Sequence, residues 1–304
     1  MSIVSGTRIR RAGAGGVAAV SWHDAAVIPV VIDRERLADL PGAVLVDVRW
    51  YLDGTDGRAA YEAGHLPGAV WVDLDRELAG HGAPATEGRH PLPTPESFAA
   101  AMTRLGIGDS TPVVAYDDAG GITAGRLVVM LRVLGHDATL LDGGLRAWTG
   151  EVSTGWVEPS PAAAPFTPRP WPADRFASAD EAGALAATRG AGGVVIDARA
   201  HERFTGEVTM VDPRPGHVPG ARSAPWGAVL GDDGRLRSVD ELRRHFGDLG
   251  AADAGDVVAY CGSGVSACMN IVAMEHAGLR PPRLYVASWS GWSADPDRPA
   301  ELGE

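Results

Sequence analysis

Cysteine is nearly absent from this chain of 304 residues, which carries only Cys261 and Cys268. Two cysteines in so long a chain do not make a disulfide framework, and a reducing, cytoplasmic setting is expected. Long apolar runs are missing too: Gly, Pro, Asp or Arg interrupts every candidate before the roughly 20 residues a membrane helix needs. Basic clusters are equally scarce. With a net charge of -12 and no Lys/Arg run of useful length, the chain is expected to bind neither nucleic acid nor an anionic membrane. The paired Cys/His spacings of a zinc site do not occur, and no glycine-rich phosphate loop with its lysine follows an apolar run. No metal and no cofactor are therefore expected.

What is present is a composition of 45% hydrophobic and 22% charged residues, that of a soluble globular protein, in a chain long enough for two domains. The first 22 residues contain Arg8, Arg10 and Arg11 ahead of a stretch of small residues. Their hydrophobicity is too weak for a signal peptide, so residues 1–22 are read as a flexible leader.

An internal repeat organises the remainder. The runs "VVAYDDAGGITAG" and "VVAYCGSGVSACM" begin at Val113 and Val257, an offset of 144 that also carries Trp148 onto Trp292. Upstream, "VLVDVR" from Val44 matches "VVIDAR" from Val194, and "GHLPGA" from Gly64 matches "GHVPGA" from Gly216. Between the copies, residues 154–174 are rich in proline, which prevents helix and discourages central strand. The expected domains are thus 23–153 and 175–304, joined by a linker over 154–174. Val-rich runs of four to six residues read as parallel strands buried on both faces, and they alternate with helical patterns such as "AGRLVVMLRVLGH". The fold class is α/β: two tandem domains, each a mainly parallel sheet flanked by helices.

Cys261 stands where the apolar run "VVAY" meets "CGSGVS" and a helix begins shortly after, the crevice position where open α/β sheets place ligands. Gly262 and Gly264 let the backbone curl so that successive N–H groups point at one centre. A nest of donors and a helix N-terminus both favour an anion there, so the thiol is expected to ionise readily and act as a nucleophile. Cys268, on the following helix, is expected to be a small core residue. His65 and His217 lie in the repeated "GH-x-PGA" turns, and their presence in the half without a cysteine marks them as structural.

At "CGSGVS", "GHLPGA", "LDGGLRAW", "GHVPGA" and "SWSGW" the chain resembles the rhodanese superfamily over roughly residues 25 to 300. The likeness is to its tandem-domain sulfurtransferases, and the loop is similar to the Cys-Gly-Ser-Gly-Val-Thr loop of 3-mercaptopyruvate sulfurtransferases, with Ser266 in place of Thr. Thiosulfate-preferring relatives carry basic residues directly after the cysteine, where this chain has Gly262 and Ser263. The resemblance implies two rhodanese-like domains. The first is expected to be inactive, because Asp117 occupies the place of Cys261.

It also implies a reaction and its residues. The Cys261 thiolate would take sulfur from 3-mercaptopyruvate or thiosulfate, hold it as a persulfide, and pass it to a thiol, thioredoxin-like or cyanide acceptor. Gly262, Gly264, Val265 and Ser266 would form the binding loop. Arg203 in "HERF" matches the family's carboxylate-binding arginine, and Arg214 in "DPRPGH" is a candidate for a second. His90 in "HPLP", Asp75 in "VDLD" and Ser263 resemble a serine-protease-like proton relay. The chain departs from the family at Gly291, Val286 and Ala287. Two other classes remain: a thiosulfate-preferring enzyme, and a non-enzymatic rhodanese module. A cysteine phosphatase would need an arginine at the loop's end, where Ala267 stands.

Overall fold

The computed structural model describes residues 28–304, so the expected leader and the first residues of the expected first domain lie outside the described residues. In the first half, short apolar runs give β1 (Val31–Ile32), β2 (Val44–Asp47), β3 (Val70–Trp71), β4 (Val113–Tyr116) and β5 (Ala138–Leu141). Helices α1 (Gly57–Ala63), α2 (Leu74–Glu77), α3 (Pro95–Arg104) and α4 (Ala124–Val133) fall between them. The sheet runs β1-β5-β4-β2-β3, every pair parallel, with Val44 opposite Val113 and Val113 opposite Ala138. The second half repeats the plan. Strands β6 (Val194–Asp197), β7 (Arg222–Ser223), β8 (Val257–Tyr260) and β9 (Arg283–Leu284) form a parallel sheet in the order β7-β6-β8-β9. Its helices are α5 (Ala179–Ala187), α6 (His201–Thr205), α7 (Val239–Asp248), α8 (Ala267–His276) and α9 (Ser288–Ala294).

Local chemistry explains where these helices begin. The side chain of Thr94 accepts the N–H of Ser97, with Pro95 at the first helical position of α3. Ser178 with Glu181, and Ser238 with Glu241, close capping boxes on α5 and α7. The repeated turns are held alike: Arg49 forks onto Asp47 and reaches Gly64 O, while Arg199 forks onto Asp197 and reaches Gly216 O. His65 and His217, both buried, each give Nδ1 to a carbonyl and stack on Tyr61 and Phe204. They are structural turn histidines.

Helix α4, expected as a helix from "AGRLVVMLRVLGH", has no solvent-facing side over most of its length. Every residue from Ala124 to Leu131 is buried, and so is every residue of α8 from Ala267 to Met274. Each of these helices covers its own sheet on one face and packs against the other helix on the opposite face. A side chain at Gly125 would lie 3.5 Å from the backbone of Cys268, and Arg132 pairs with Glu275 across the seam. The two halves thus share one continuous apolar core. The proline-rich segment 154–174 is no loose tether. It crosses the first half, with Ala162 N–H bonded to Thr103 O, Phe166 buried between Phe98 and His136, and the Trp171 indole bonded to Pro93 O.

Candidate active site

Cys261 lies at the C-terminal end of β8 and is 1% exposed. The segment Ser288–Ser290 supports it from behind. Ser288 Oγ accepts the N–H of Cys261 at 3.1 Å, Trp289 N–H donates to Cys261 O at 2.9 Å, and Ser290 N–H donates to Gly262 O at 2.9 Å. Ser288 makes its bond from a left-handed backbone, φ +53°. That conformation costs a non-glycine residue about 1–2 kcal/mol, so one hydrogen bond worth about 1 kcal/mol does not sustain it alone. Surrounding packing must fix it, as is common at functional loops. Gly291, the departure from the family pattern, has a steric reason. A Cβ there would fall 2.5 Å from Thr86 O, because the first-half turn Ala85–Glu87 sits directly on α9.

Gly264 has φ +75°, and a Cβ there would meet Val286 O at 2.5 Å. Beneath the loop lies Arg126, fully buried, which the sequence reading missed. It donates from Nη1 to Gly264 O at 2.8 Å and from Nη2 to the carbonyls of Leu78 and His90 at 3.1 and 3.0 Å. Burial lowers its pKa, yet guanidinium is so weak an acid that the group keeps its charge. Arg126 therefore ties α4, the α2 end and the His90 segment to the active loop. With the Gly264 carbonyl held by Arg126, the loop's N–H groups stay uncommitted: among the described residues, none from Gly262 to Ala267 has a protein acceptor. A buried arginine inside "AGRLVVMLRV" was the available signal.

The first half delivers the rest. His90 Nδ1 lies 2.8 Å from Ser263 Oγ, and its Nε2 lies 3.0 Å from Asp75 Oδ1. Asp75 also accepts the indole N–H of Trp50 at 2.8 Å. The hydrogen bond from His90 holds the Asp75 carboxyl below the usual carboxylate range, with the Trp50 bond adding to it and partial burial opposing it. An ionised Asp75 only accepts, so the Nε2–H of His90 donates to it. Nδ1 is thereby turned toward the Ser263 hydroxyl. The three residues are brought together in one hydrogen-bonded chain, His90 and Asp75 from one half and Ser263 from the other.

Arg203, on α6, reaches the loop beside Gly262 and is held by the buried Asp212. Arg214 does not reach it, and that expectation is corrected. Its guanidinium is spent on the carbonyls of Ser293, Trp292, Asp295 and Arg298 at the end of α9. Arg89, next to His90, lies beside Gly262 and donates to Asp212 at 2.7 Å. Cys268 is buried with its thiol directed at Gly264 O, 3.4 Å away. A cavity of about 440 Å³ opens over the loop, lined by Cys261, Gly262, Ser263, Val265 and Ser266 with Arg89 and Arg203, and walled by Trp50, Tyr51 and Met210. Among the described residues no group of His, Cys, Asp and Glu is placed to hold a metal, and no helix is long and apolar enough to cross a membrane. The Cys261 thiol, N–H groups with no protein acceptor, the guanidinium groups of Arg89 and Arg203 and the His90–Ser263 contact therefore meet in one crevice.

The chain matches the Rhodanese-like domain family twice, over residues 33–151 and 178–295. It belongs to the rhodanese family. It is 42% identical over 264 residues to a Mycobacterium tuberculosis protein provisionally named thiosulfate sulfurtransferase SseB, covering 85% of this chain and 90% of that one. It is 36% identical over 260 residues to 3-mercaptopyruvate sulfurtransferase of Homo sapiens, covering 82% and 84%. The structure of 3-mercaptopyruvate sulfurtransferase from Leishmania major superposes with a TM-score of 0.75 at 33% identity, covering 86% of this chain and 73% of that one. The chain is, like these relatives, a sulfurtransferase of two rhodanese domains.

Proposed function

We propose that this protein takes sulfur from 3-mercaptopyruvate onto Cys261 and passes it to a small thiol, a thioredoxin-like protein or cyanide. The observation that carries this reading is the His90 bridge between Asp75 and Ser263, since only a donor whose leaving group needs a proton calls for such a relay. The Cys261 thiolate attacks the donor sulfur, a sulfur–sulfur bond forms, and the carbon–sulfur bond breaks with its electron pair passing to carbon as the enolate of pyruvate. The proton from the donor thiol moves to that carbon, and Ser263 with His90 carries it. Cys261 is left as an anionic persulfide, for which the free N–H groups of the loop are the matching donors. The acceptor then removes the outer sulfur and restores the thiolate. Both cysteines are free thiols, which fits a reducing, cytoplasmic setting.

Thiosulfate is the second reading, favoured by the name of the Mycobacterium relative. Sulfite leaves without needing a proton, so the relay would stand idle. Initial rates with both donors and cyanide as acceptor decide between them. A higher kcat/KM for 3-mercaptopyruvate is expected, and a higher value for thiosulfate overturns the donor assignment. Persulfide formed on Cys261 by neither donor would make the domain a binding module.

A further inference from the structure

Among the three carbonyls that Arg126 holds, that of Gly264 bears on the sulfur. Every peptide bond of the described residues is trans, so the C=O of Gly264 and the N–H of Val265, which share one peptide plane, point in opposite directions. With the carbonyl drawn onto Arg126 Nη1 at 2.8 Å, the Val265 N–H is turned the other way. Val265 and Cys261 both line the cavity, and Arg126 does not. The Val265 N–H has no protein acceptor among the described residues, although Val265 is only 6% exposed.

The first half shows where such an N–H is aimed. The repeat sets Asp117, Gly120 and Gly121 against Cys261, Gly264 and Val265, and Gly120 has φ +79° where Gly264 has φ +75°. There the Gly121 N–H donates to Asp117 Oδ1 at 2.8 Å, so the matching peptide faces the residue at the cysteine's place. The far side of that peptide is what differs. Asn270 stands at the repeat position of Arg126 but donates to Ala224 O within its own half, and the Gly120 carbonyl has no donor among the described residues. A carboxylate accepts strongly enough to fix the peptide by itself, whereas a thiol sulfur is a weak acceptor. A peptide that follows a glycine turns over easily, and in the second half the guanidinium stops it from outside.

We propose that Arg126 is a positioning residue for sulfur transfer: it locks the Gly264–Val265 peptide from beneath, so that the Val265 N–H stays aimed at the sulfur of Cys261. The lock is thus supplied by the half that has no cysteine. This rests on the reading of Cys261 as the sulfur carrier, and the test separates the two.

The full-length protein is labelled with 13C at glycine carbonyls and 15N at valine. Gly–Val pairs occur only at 16–17, 193–194 and 264–265, so the Val265 amide is one of three signals in a carbonyl-edited spectrum, identified by its loss in Val265→Ile. Polysulfide loads Cys261 with sulfur without an enzymatic donor step, and the added mass shows where the sulfur sits. On loading, the Val265 amide proton of the parent is expected to move downfield as it takes up the sulfur acceptor, and to lose that shift in Arg126→Lys, because an ammonium cannot hold three carbonyls in one plane. Arg126→Gln is read in the same way where the lysine variant does not fold. Turnover is expected to fall roughly a hundredfold in kcat, as for a lost oxyanion donor, alike with 3-mercaptopyruvate and thiosulfate because the sulfur anion is common to both. An unshifted Val265 amide in the loaded parent overturns the proposal, and so does a shift or a turnover that survives unchanged in the folded variants. If 3-mercaptopyruvate proves no donor while polysulfide still loads Cys261 and the amide still moves, the donor reading fails and the lock stands. Sulfur found elsewhere than on Cys261 would overturn the carrier reading and the lock together.

Discussion

The loops after β4 and β8 have the same frame and opposite contents. Leu145 N–H donates to Asp117 O at 2.8 Å as Trp289 N–H donates to Cys261 O at 2.9 Å, and Gly144 with φ +51° stands where Ser288 has φ +53°. In the first half the Asp117 carboxylate accepts the N–H groups of Ala119, Gly121, Thr123 and Ala124 and the Thr123 hydroxyl, all between 2.8 and 3.0 Å. In the second half the loop from Gly262 to Ala267 gives its N–H groups to no protein acceptor among the described residues. The difference teaches what the loop is built for. It collects donors around one point, and a buried unpaired donor costs about 1–3 kcal/mol. The first half discharges that demand with its own carboxylate, whereas in the second no protein group among the described residues meets it.

The sharpest test of this comparison exchanges the residues at its centre. Cys261→Ser is expected to abolish transfer, and adding Asp117→Cys is expected to restore nothing. A thiol at position 117 would have Ala119 where the working loop has Ser263. Leu230 and Leu140 also crowd Gly120 and Gly121, to 2.4 and 2.7 Å from their Cβ positions. Persulfide at position 117, detected by mass spectrometry, would show that the central residue alone separates the halves. A smaller effect is expected from His90→Asn. Proton relays typically contribute about 10²–10⁴-fold, so kcat with 3-mercaptopyruvate should fall by that order while thiosulfate turnover falls far less. Equal falls would reduce His90 to a support of Ser263.

Much of this comparison is legible before any coordinates. Strands buried on both faces are written as unbroken Val-rich runs, and turns such as "GH-x-PGA" repeat because the same Asp–Arg fork and histidine bond hold them in each half. That Asp75, His90 and Ser263 meet is legible from the family resemblance, because they sit in short motifs. Arg214 was misplaced because its partners are backbone carbonyls about 80 residues away, at the end of α9, and carbonyls leave no mark in a sequence. Arg89 and Arg126 were passed over for a related reason. Their roles come from the docking of one half on the other, although an arginine beside the relay histidine and another inside an apolar helix were visible anomalies.

Cys268 supplies the smallest expected effect and a control on the single-thiol mechanism. The repeat places Ala124 opposite it, so Cys268→Ala writes into the working half what the other half already has. The thiol is fully buried, and burial pushes its pKa up to about 12, with the Arg126 charge opposing and Cys261 adding slightly. At pH 8 it should resist alkylation in the folded protein and contribute nothing to transfer, leaving kcat/KM of the variant within about twofold of the parent. The loss of the buried Sγ changes stability alike at every pH, and the pH dependence differs only in alkali. A thiol whose folded pKa is raised keeps its proton where the unfolded chain has lost it, so its contribution holds below the ordinary value of 9.0 and is lost as the pH rises toward about 12. Urea unfolding of parent and variant should therefore show the parent losing stability faster over that window. A large loss of activity in Cys268→Ala at neutral pH, with folding intact, would instead make the second thiol a chemical partner of the first.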